Sequence, residues 1–204
     1  MFPIRCRHLI LLCAVVTVLA VDAGCARYAR NVNALYEPSA TARGGSGELY
    51  IVMSPGRETP SENVKWVIGT VKDRDGVKID EIFSPRSPEE IFRSALSQEL
   101  KKAGYTVQAV TARPTGSVKE LDLTKAEIKL DQVSDLADLK ANCHMEVRLD
   151  ISKNGQLLKK LQYESTASDT TINDRDLLAG TVLQEGLRSI MQRAVPDIIS
   201  ILEK

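Results

Sequence analysis

The sequence predicts an α+β fold with a mainly antiparallel sheet and two helices packed on one face, preceded by a signal peptide and a flexible linker. Three observations predict it. Residues 141–152 alternate between apolar and polar side chains, which is typical of a strand with one buried face. Residues 88–103 and 174–202 repeat apolar side chains at helical spacing. Short turn sequences separate the strand-like runs between these two segments.

The first element is a secretory signal at residues 1–24. Arg5 and Arg7 precede an uncharged apolar run of twelve residues, Leu9 to Ala20. A transmembrane helix needs about 20 apolar residues, so this run is too short to span a bilayer. Its length and its basic flank match a signal peptide.

A cysteine follows the signal directly. The tripeptide Ala23-Gly24-Cys25 resembles the lipobox of bacterial lipoproteins, in which small residues precede a cysteine that becomes lipidated. Asp22 stands where that motif normally carries an aliphatic residue. The resemblance implies that residues 1–24 are removed and that Cys25 carries acyl chains, palmitate among them. The alternative is ordinary cleavage after Ala23, which leaves a free thiol at Cys25.

Lipidation predicts where the chain is delivered. Two or more acyl chains hold a protein stably on a membrane, so the membrane is the first expected partner. The lipoprotein resemblance implies that Ala26, after the cysteine, directs the chain to the outer membrane, on its periplasmic face. Cys6 and Cys13 leave with the signal, so only Cys143 keeps a thiol and no disulfide framework is expected.

Residues 25–47 are predicted to be the lipidated cysteine and a flexible tether. Asparagines, a proline and the run Gly44-Gly45-Ser46-Gly47 stand here among few periodic apolar positions. A coil of this length spans about 25 Å. The remainder, 48–204, is predicted to be a single periplasmic α+β domain.

The first half of this domain is predicted to contain strands at 48–53 and 64–71 and then a capped helix. Ser87 is the N-cap, Pro88 takes the first helical position and Glu90 completes a capping box. Gly104 ends the helix in the left-handed conformation. Between Leu121 and Val133 the apolar positions change from odd to even numbers, which predicts a β-bulge near Thr124-Lys125.

A hairpin is predicted where Asn154-Gly155 follows the alternating strand. A two-residue type I′ loop would place Leu149 opposite Lys160 and Val147 opposite Gln162 and so bury charge. The apolar register therefore favours a three-residue loop, Lys153-Asn154-Gly155. That loop predicts the pairs Ile151 with Leu157, Val147 with Leu161 and Met145 with Tyr163.

The last helix is predicted to begin at the cap Asn173 and to continue to about residue 202. Its apolar stripe indicates a core helix, because the polar face carries charges of both signs. Pro196 lacks an amide hydrogen, so the helix is expected to kink or break near Val195.

Composition argues against a function in nucleic-acid binding. The chain has 204 residues, 43% hydrophobic and 26% charged, with 27 basic and 27 acidic side chains. A balanced charge offers no field for a polyanion, and 4% aromatic content offers few stacking surfaces, so nucleic acid is not an expected partner.

The mature chain contains few residues that could form a catalytic site. His144 is its one histidine and follows Cys143 on a strand, where neighbours point to opposite faces and cannot form a thiolate–imidazole pair. Cys143 is expected in the core, and His144 on the exposed face near Glu164. The sequence shows no zinc motif, nucleophile elbow or two-cysteine redox motif, so neither an enzyme activity nor a cofactor or metal is predicted.

Several elements together resemble the YajG family of uncharacterised bacterial lipoproteins. They are the lipoprotein start, the helix that begins Ser-Pro-Glu-Glu and ends Lys-Lys-Ala-Gly-Tyr, the Lys-Asn-Gly hairpin and the helix at Asn173-Asp174. The resemblance implies an envelope lipoprotein without site residues beyond Cys25. We therefore expect a membrane-anchored protein that presents a non-catalytic binding or scaffolding domain. The alternatives are a soluble periplasmic small-ligand binder and an auxiliary lipoprotein subunit of an envelope transporter.

Overall fold

The computed structural model describes residues 31–39, 41–52, 65–110, 119–134, 138–172 and 175–204. The predicted signal peptide, Cys25 and the helix cap at Asn173 lie outside these residues. The described elements are β1 Glu48–Val52, β2 Trp66–Asp73, β3 Lys78–Ser84, α1 Pro88–Ala103, β4 Thr106–Val110, β5 Lys119–Ser134, β6 Leu139–Lys153, β7 Gln156–Thr171 and α2 Arg175–Leu202.

The strands form one mixed sheet, so the prediction of a mainly antiparallel sheet is wrong. β6 pairs antiparallel with β5 and β7, and β2 pairs antiparallel with β3. The other edge of β5 is shared by two parallel neighbours, β1 beside residues 119–122 and β2 beside residues 130–134. β1 also pairs parallel with β4. Alternating side chains predict which face of a strand is buried but not the direction of its neighbours.

Both helices pack on the sheet and contact one another, which confirms the α+β prediction. The two ends of α1 are as predicted. Ser87 Oγ accepts a hydrogen bond from the Glu90 amide at 3.1 Å, and Gly104 is left-handed with φ +119°. α2 continues through Pro196 to Leu202, so the helix does not break near Val195.

The predicted β-bulge in β5 is confirmed. The pairing with β6 shifts between Leu123, opposite Leu149, and Lys125, opposite Arg148. Because of this extra residue, Leu121 before the bulge and Leu130 after it are both fully buried, although one position is odd and the other even. The bulge therefore keeps one face of a 16-residue strand on the core.

The predicted hairpin loop is wrong. Asn154 and Gly155 have φ of +57° and +75°, and Lys153 pairs with Gln156, so the turn has two residues. A register shift between Ile151 and Ser152 then places apolar side chains opposite Leu149 and Val147 without a longer loop. The resulting pairs are Ile151 with Lys159, Leu149 with Leu161, Val147 with Tyr163 and Met145 with Ser165.

The flexible linker predicted for 26–47 is also wrong for the part of it that the structure describes. Alternate residues Val32, Ala34 and Tyr36 are buried in the core, with exposed fractions of 5, 3 and 9%. The Val32 amide donates to the Phe83 carbonyl of β3 at 2.8 Å. Three buried side chains at alternate positions outweigh a composition that is otherwise typical of linkers. We call residues 31–39 and 41–47 the N-terminal segment.

Candidate functional site

The predicted lipidation site, Cys25, lies outside the described residues, the first of which is Asn31, six positions later. The N-terminal segment is nevertheless the nearest described part of the chain to that cysteine. The contacts between this segment and the rest of the domain would determine how the domain is oriented relative to a lipid anchor. It is therefore the candidate site that the structure can describe.

A buried carboxylate of α1 holds the first half of the segment. Glu99 is only 1% exposed, and its Oε1 accepts hydrogen bonds from the Tyr36 hydroxyl and, at 2.6 Å, from the Ser39 amide. Burial, followed by the hydrogen bond to Glu99, raises the pKa of Tyr36. The phenol therefore remains protonated and keeps donating at any physiological pH. Lys102 adds a hydrogen bond to the Pro38 carbonyl at 3.0 Å.

The second half of the segment crosses the end of α1 at two glycines. The Gly45 amide donates to the Ala103 carbonyl at 3.1 Å. A Cβ at Gly45 would lie 2.4 Å from the Tyr105 ring, and a Cβ at Gly104 would lie 2.4 Å from the Gly45 carbonyl oxygen. The chain passes here at a distance that only glycine permits. The glycine-rich run is thus a packing site and not a spacer.

Glu203, just after α2, ties the segment to the end of the chain. Its carboxylate accepts from Ser46 Oγ at 2.9 Å and from Lys119 Nζ at 2.6 Å. Burial alone would raise the pKa of Glu203, but its hydrogen-bond donors, Lys119 foremost and Ser46 among them, lower it to about 2. Lys119 also donates to the Ser46 carbonyl at 2.8 Å. The carboxylate is therefore ionised at neutral pH and joins the segment, β5 and α2.

A groove of about 260 Å³ lies between the start of the N-terminal segment and α2. Two leucines on its rim stand out, because Leu35 is 74% exposed and Leu177 is 68% exposed. The groove is lined by Asn31, Val32, Asn33, Leu35, Leu177, Gly180, Thr181 and Gln184. An apolar rim of this kind is a candidate contact surface.

Two cationic side chains lie beside the groove. Lys65 Nζ donates to Asn31 Oδ1 at 3.2 Å, and Arg86 Nη2 donates to Asn33 Oδ1 at 3.4 Å. The point where the chain leaves toward Cys25 is therefore flanked by two leucines and two positive charges.

The outer face of β5, β6 and β7 carries ion pairs instead. Glu146 contacts both Lys125 and Arg148, the latter at 2.9 Å. A depression of about 400 Å³ on this face is lined by Thr124, Arg148, Asp150, Lys160, Leu161 and Gln162. Lys160 pairs with Asp150 within it at 3.4 Å. Mixed charges of this kind are typical of a solvated sheet face.

Cys143 and His144, the two residues considered for catalysis, lie on opposite faces of β6. Cys143 is fully buried, as predicted, and burial raises the pKa of its thiol to about 12. His144 lies on the other face opposite Thr166, with its Nδ1 3.3 Å from the threonine hydroxyl, and not opposite Glu164 as predicted. In the described ranges, no group of three or more His, Cys, Asp or Glu side chains could hold a metal ion. Within the same residues, no helix is long and apolar enough to cross a membrane.

The packing of the N-terminal segment was not predicted from the sequence. Its signal was present in the alternation of Val32, Ala34 and Tyr36, interrupted by asparagines and followed by Pro38. The partner of Tyr36 could not be inferred, because Glu99 lies 63 residues away in the chain.

No protein-family model matches the chain, and no curated protein matches it. Among solved structures, it is similar to a DUF330 protein from Xanthomonas campestris, with 9% identity, a TM-score of 0.49 and coverage of 85% of this chain and 96% of the other. A minor lipoprotein from Acinetobacter baumannii has 8% identity, a TM-score of 0.45 and coverage of 75 and 93%. The rare lipoprotein B of Shewanella oneidensis has 13% identity, a TM-score of 0.37 and coverage of 67 and 98%. The neighbours thus include bacterial lipoproteins, whereas the resemblance to the YajG family stays a prediction.

Proposed function

We propose that this chain is an envelope lipoprotein, anchored by acyl chains on Cys25 at the periplasmic face of the outer membrane. Its folded domain serves as a non-catalytic binding or scaffolding module. The observation that carries the proposal is the tripeptide Ala23-Gly24-Cys25 at the end of a twelve-residue apolar run.

The placement of Cys143 supports the choice of Cys25 as the lipidated residue. Cys25 lies six positions before Asn31, outside the residues that the structure describes. A lipoprotein needs its modified cysteine outside the fold, where the acyl chains can enter a bilayer. Cys143 does not meet that need, because it is fully buried in the core, which leaves Cys25 as the acyl acceptor of the proposed mature chain.

The chemistry of the described residues favours a binding role over catalysis. The thiol of Cys143 is shielded and its pKa is raised to about 12, so it would not supply a thiolate at neutral pH. His144 faces away from it and meets a threonine hydroxyl. Binding or scaffolding requires only the surface that a stable domain provides.

The cavities give little support to a soluble small-ligand binder. Ligand pockets are typically about 300–1,000 Å³ and mostly apolar. The groove beside Leu35 is smaller, at about 260 Å³. The larger depression on the outer sheet face contains the Lys160–Asp150 ion pair. An auxiliary subunit of an envelope transporter would carry the same anchor, and crosslinking in intact cells would identify its partner.

Replacement of the two remaining cysteines tests the anchor. We expect Cys25→Ser to abolish cleavage and acylation, because the acyl acceptor is lost, so that the protein accumulates as a precursor that retains residues 1–24 and carries no acyl mass. Cys143→Ala is the matched control, since it removes a buried thiol and leaves the acceptor in place. If Cys25→Ser matures like the wild type, the proposal is wrong.

A further inference from the structure

We infer that the groove end of the domain rests on the bilayer that holds the anchor, with Leu35 and Leu177 in the interface and Lys65 and Arg86 against anionic headgroups. This inference rests on the proposed lipidation of Cys25. It adds a defined membrane-contact surface to a protein that would otherwise be held by its lipid alone.

The length of chain between anchor and fold carries the first step. Cys25 and Asn31 are six positions apart, so their Cα atoms can be at most about 20 Å apart. Asn31 forms a parallel bridge with Phe83, so the tether is fixed to the sheet at that end. A domain held this closely presents the surface around Asn31 to the bilayer.

The apolar side chains carry the second step. Leu35 lies on the N-terminal segment and Leu177 in the first turns of α2, and both line the groove that begins at Asn31. They are 74% and 68% exposed, so most of each side chain contacts water in the isolated domain. Transfer of such side chains into the interface removes apolar surface from water.

The cations carry the third step. Lys65 and Arg86 hydrogen-bond to Asn31 and Asn33, within reach of the same surface. Long basic side chains near a membrane extend toward anionic headgroups while their alkyl stems cover apolar surface. Two leucines flanked by two cations fit an anionic lipid surface.

Single-cysteine labelling of the full-length mature protein tests the inference. With Cys25 acylated and Cys143 fully buried, a new cysteine would be the accessible thiol. Leu35→Cys and Leu177→Cys would each carry an environment-sensitive fluorophore in vesicles of phosphatidylethanolamine and phosphatidylglycerol. Leu157→Cys, in the β6–β7 hairpin, is the matched control, since Leu157 is also apolar and 48% exposed.

We expect brominated lipids to quench the fluorophores at 35 and 177 several-fold more than the one at 157. Replacing phosphatidylglycerol by phosphatidylcholine should weaken the quenching at 177, because the headgroup charge is lost. Equal quenching at all three positions overturns the inference, as does strong quenching at 157 alone. Protection of 35 and 177 by a protein without lipid quenching also overturns it.

The wild-type chain is the control that distinguishes a failure of the membrane-contact surface from a failure of the proposed lipidation. If Cys25 is acylated, the wild type stays on the vesicles and takes up no fluorophore. If Cys25 is free, the wild type is labelled and leaves the vesicles, and then the proposed lipidation fails. A retained, unlabelled wild type together with equal quenching at all three positions contradicts the membrane-contact surface alone.

Discussion

At the scale of single residues, Glu99 and Glu203 hold the N-terminal segment against the rest of the domain. Glu99 holds Tyr36 and Ser39 from inside the core, whereas Glu203 holds Ser46 at the edge of the fold. A hydrogen bond to a charged group contributes about 1.5–3 kcal/mol when it is protected from water. The two carboxylates thus fix both halves of the N-terminal segment.

Tyr36→Phe tests the buried contact. We expect it to lower the free energy of unfolding by about 1.5–3 kcal/mol, because Glu99 loses its phenolic donor inside the core. Denaturant titration measures the change. Tyr50→Phe is the matched control, since its hydroxyl donates to Glu48 at 2.6 Å on the surface, and no measurable change is expected there. Equal stability of Tyr36→Phe and the wild type would show that the segment is not part of the cooperative fold.

Acid titration tests the contact of Glu203. The folded state lowers the pKa of this carboxyl from 4.5 to about 2, so its stabilising effect is fully present above pH 4.5. That effect is lost as the pH falls from 4.5 through 2. The difference in unfolding free energy between wild type and Glu203→Gln should therefore shrink over this interval. A difference that stays constant from pH 6 to pH 2 contradicts the assignment.

At the scale of elements, one requirement explains why the bulge in β5 was predicted correctly and the hairpin loop was not. Apolar side chains must stay on one face, so the change from odd to even positions in β5 required one extra residue, and the bulge followed. In the hairpin the same requirement has two solutions, a longer loop or a short turn with a bulge. The Asn154-Gly155 turn with positive φ at both residues takes the second.

Two glycines in α2 provide a matched test of helix packing. A Cβ at Gly180 would meet nothing within 4 Å, so Gly180→Ala should stabilise the protein by about 1 kcal/mol through helix propensity. A Cβ at Gly186 would lie 3.0 Å from Met145 Sδ, in the core. We expect Gly186→Ala to be less stable than Gly180→Ala because Met145 must move. Equal thermal midpoints for the two variants would show that α2 does not pack closely on β6.

At the scale of the whole molecule, much of the architecture could be predicted because it depends on local pattern. The capped helix after Ser87, the bulge in β5 and the buried face of β6 each follow from periodicity or capping within one element. The parallel pairings and the Tyr36–Glu99 contact depend on residues distant in the chain. One sequence contains no direct signal for such contacts, so neither the mixed sheet nor the partner of Tyr36 could be predicted.

The short stretch of chain between Cys25 and Asn31 can be lengthened to test whether it keeps the domain close to the bilayer. Inserting ten glycine and serine residues after Ala26 should reduce lipid quenching at a fluorophore on Leu177→Cys, because the domain can then move farther from the bilayer. The same insertion should leave membrane retention unchanged, since the acyl chains are intact. Undiminished quenching would show that the contact surface binds the membrane without help from the short tether.

The mass of the mature N-terminus tests the central claim most directly. The protein would be isolated from membranes, digested, and its first peptide measured by mass spectrometry. The account predicts a chain that begins at Cys25 and carries the mass of its acyl groups. An unmodified chain that begins at Gly24 would contradict it.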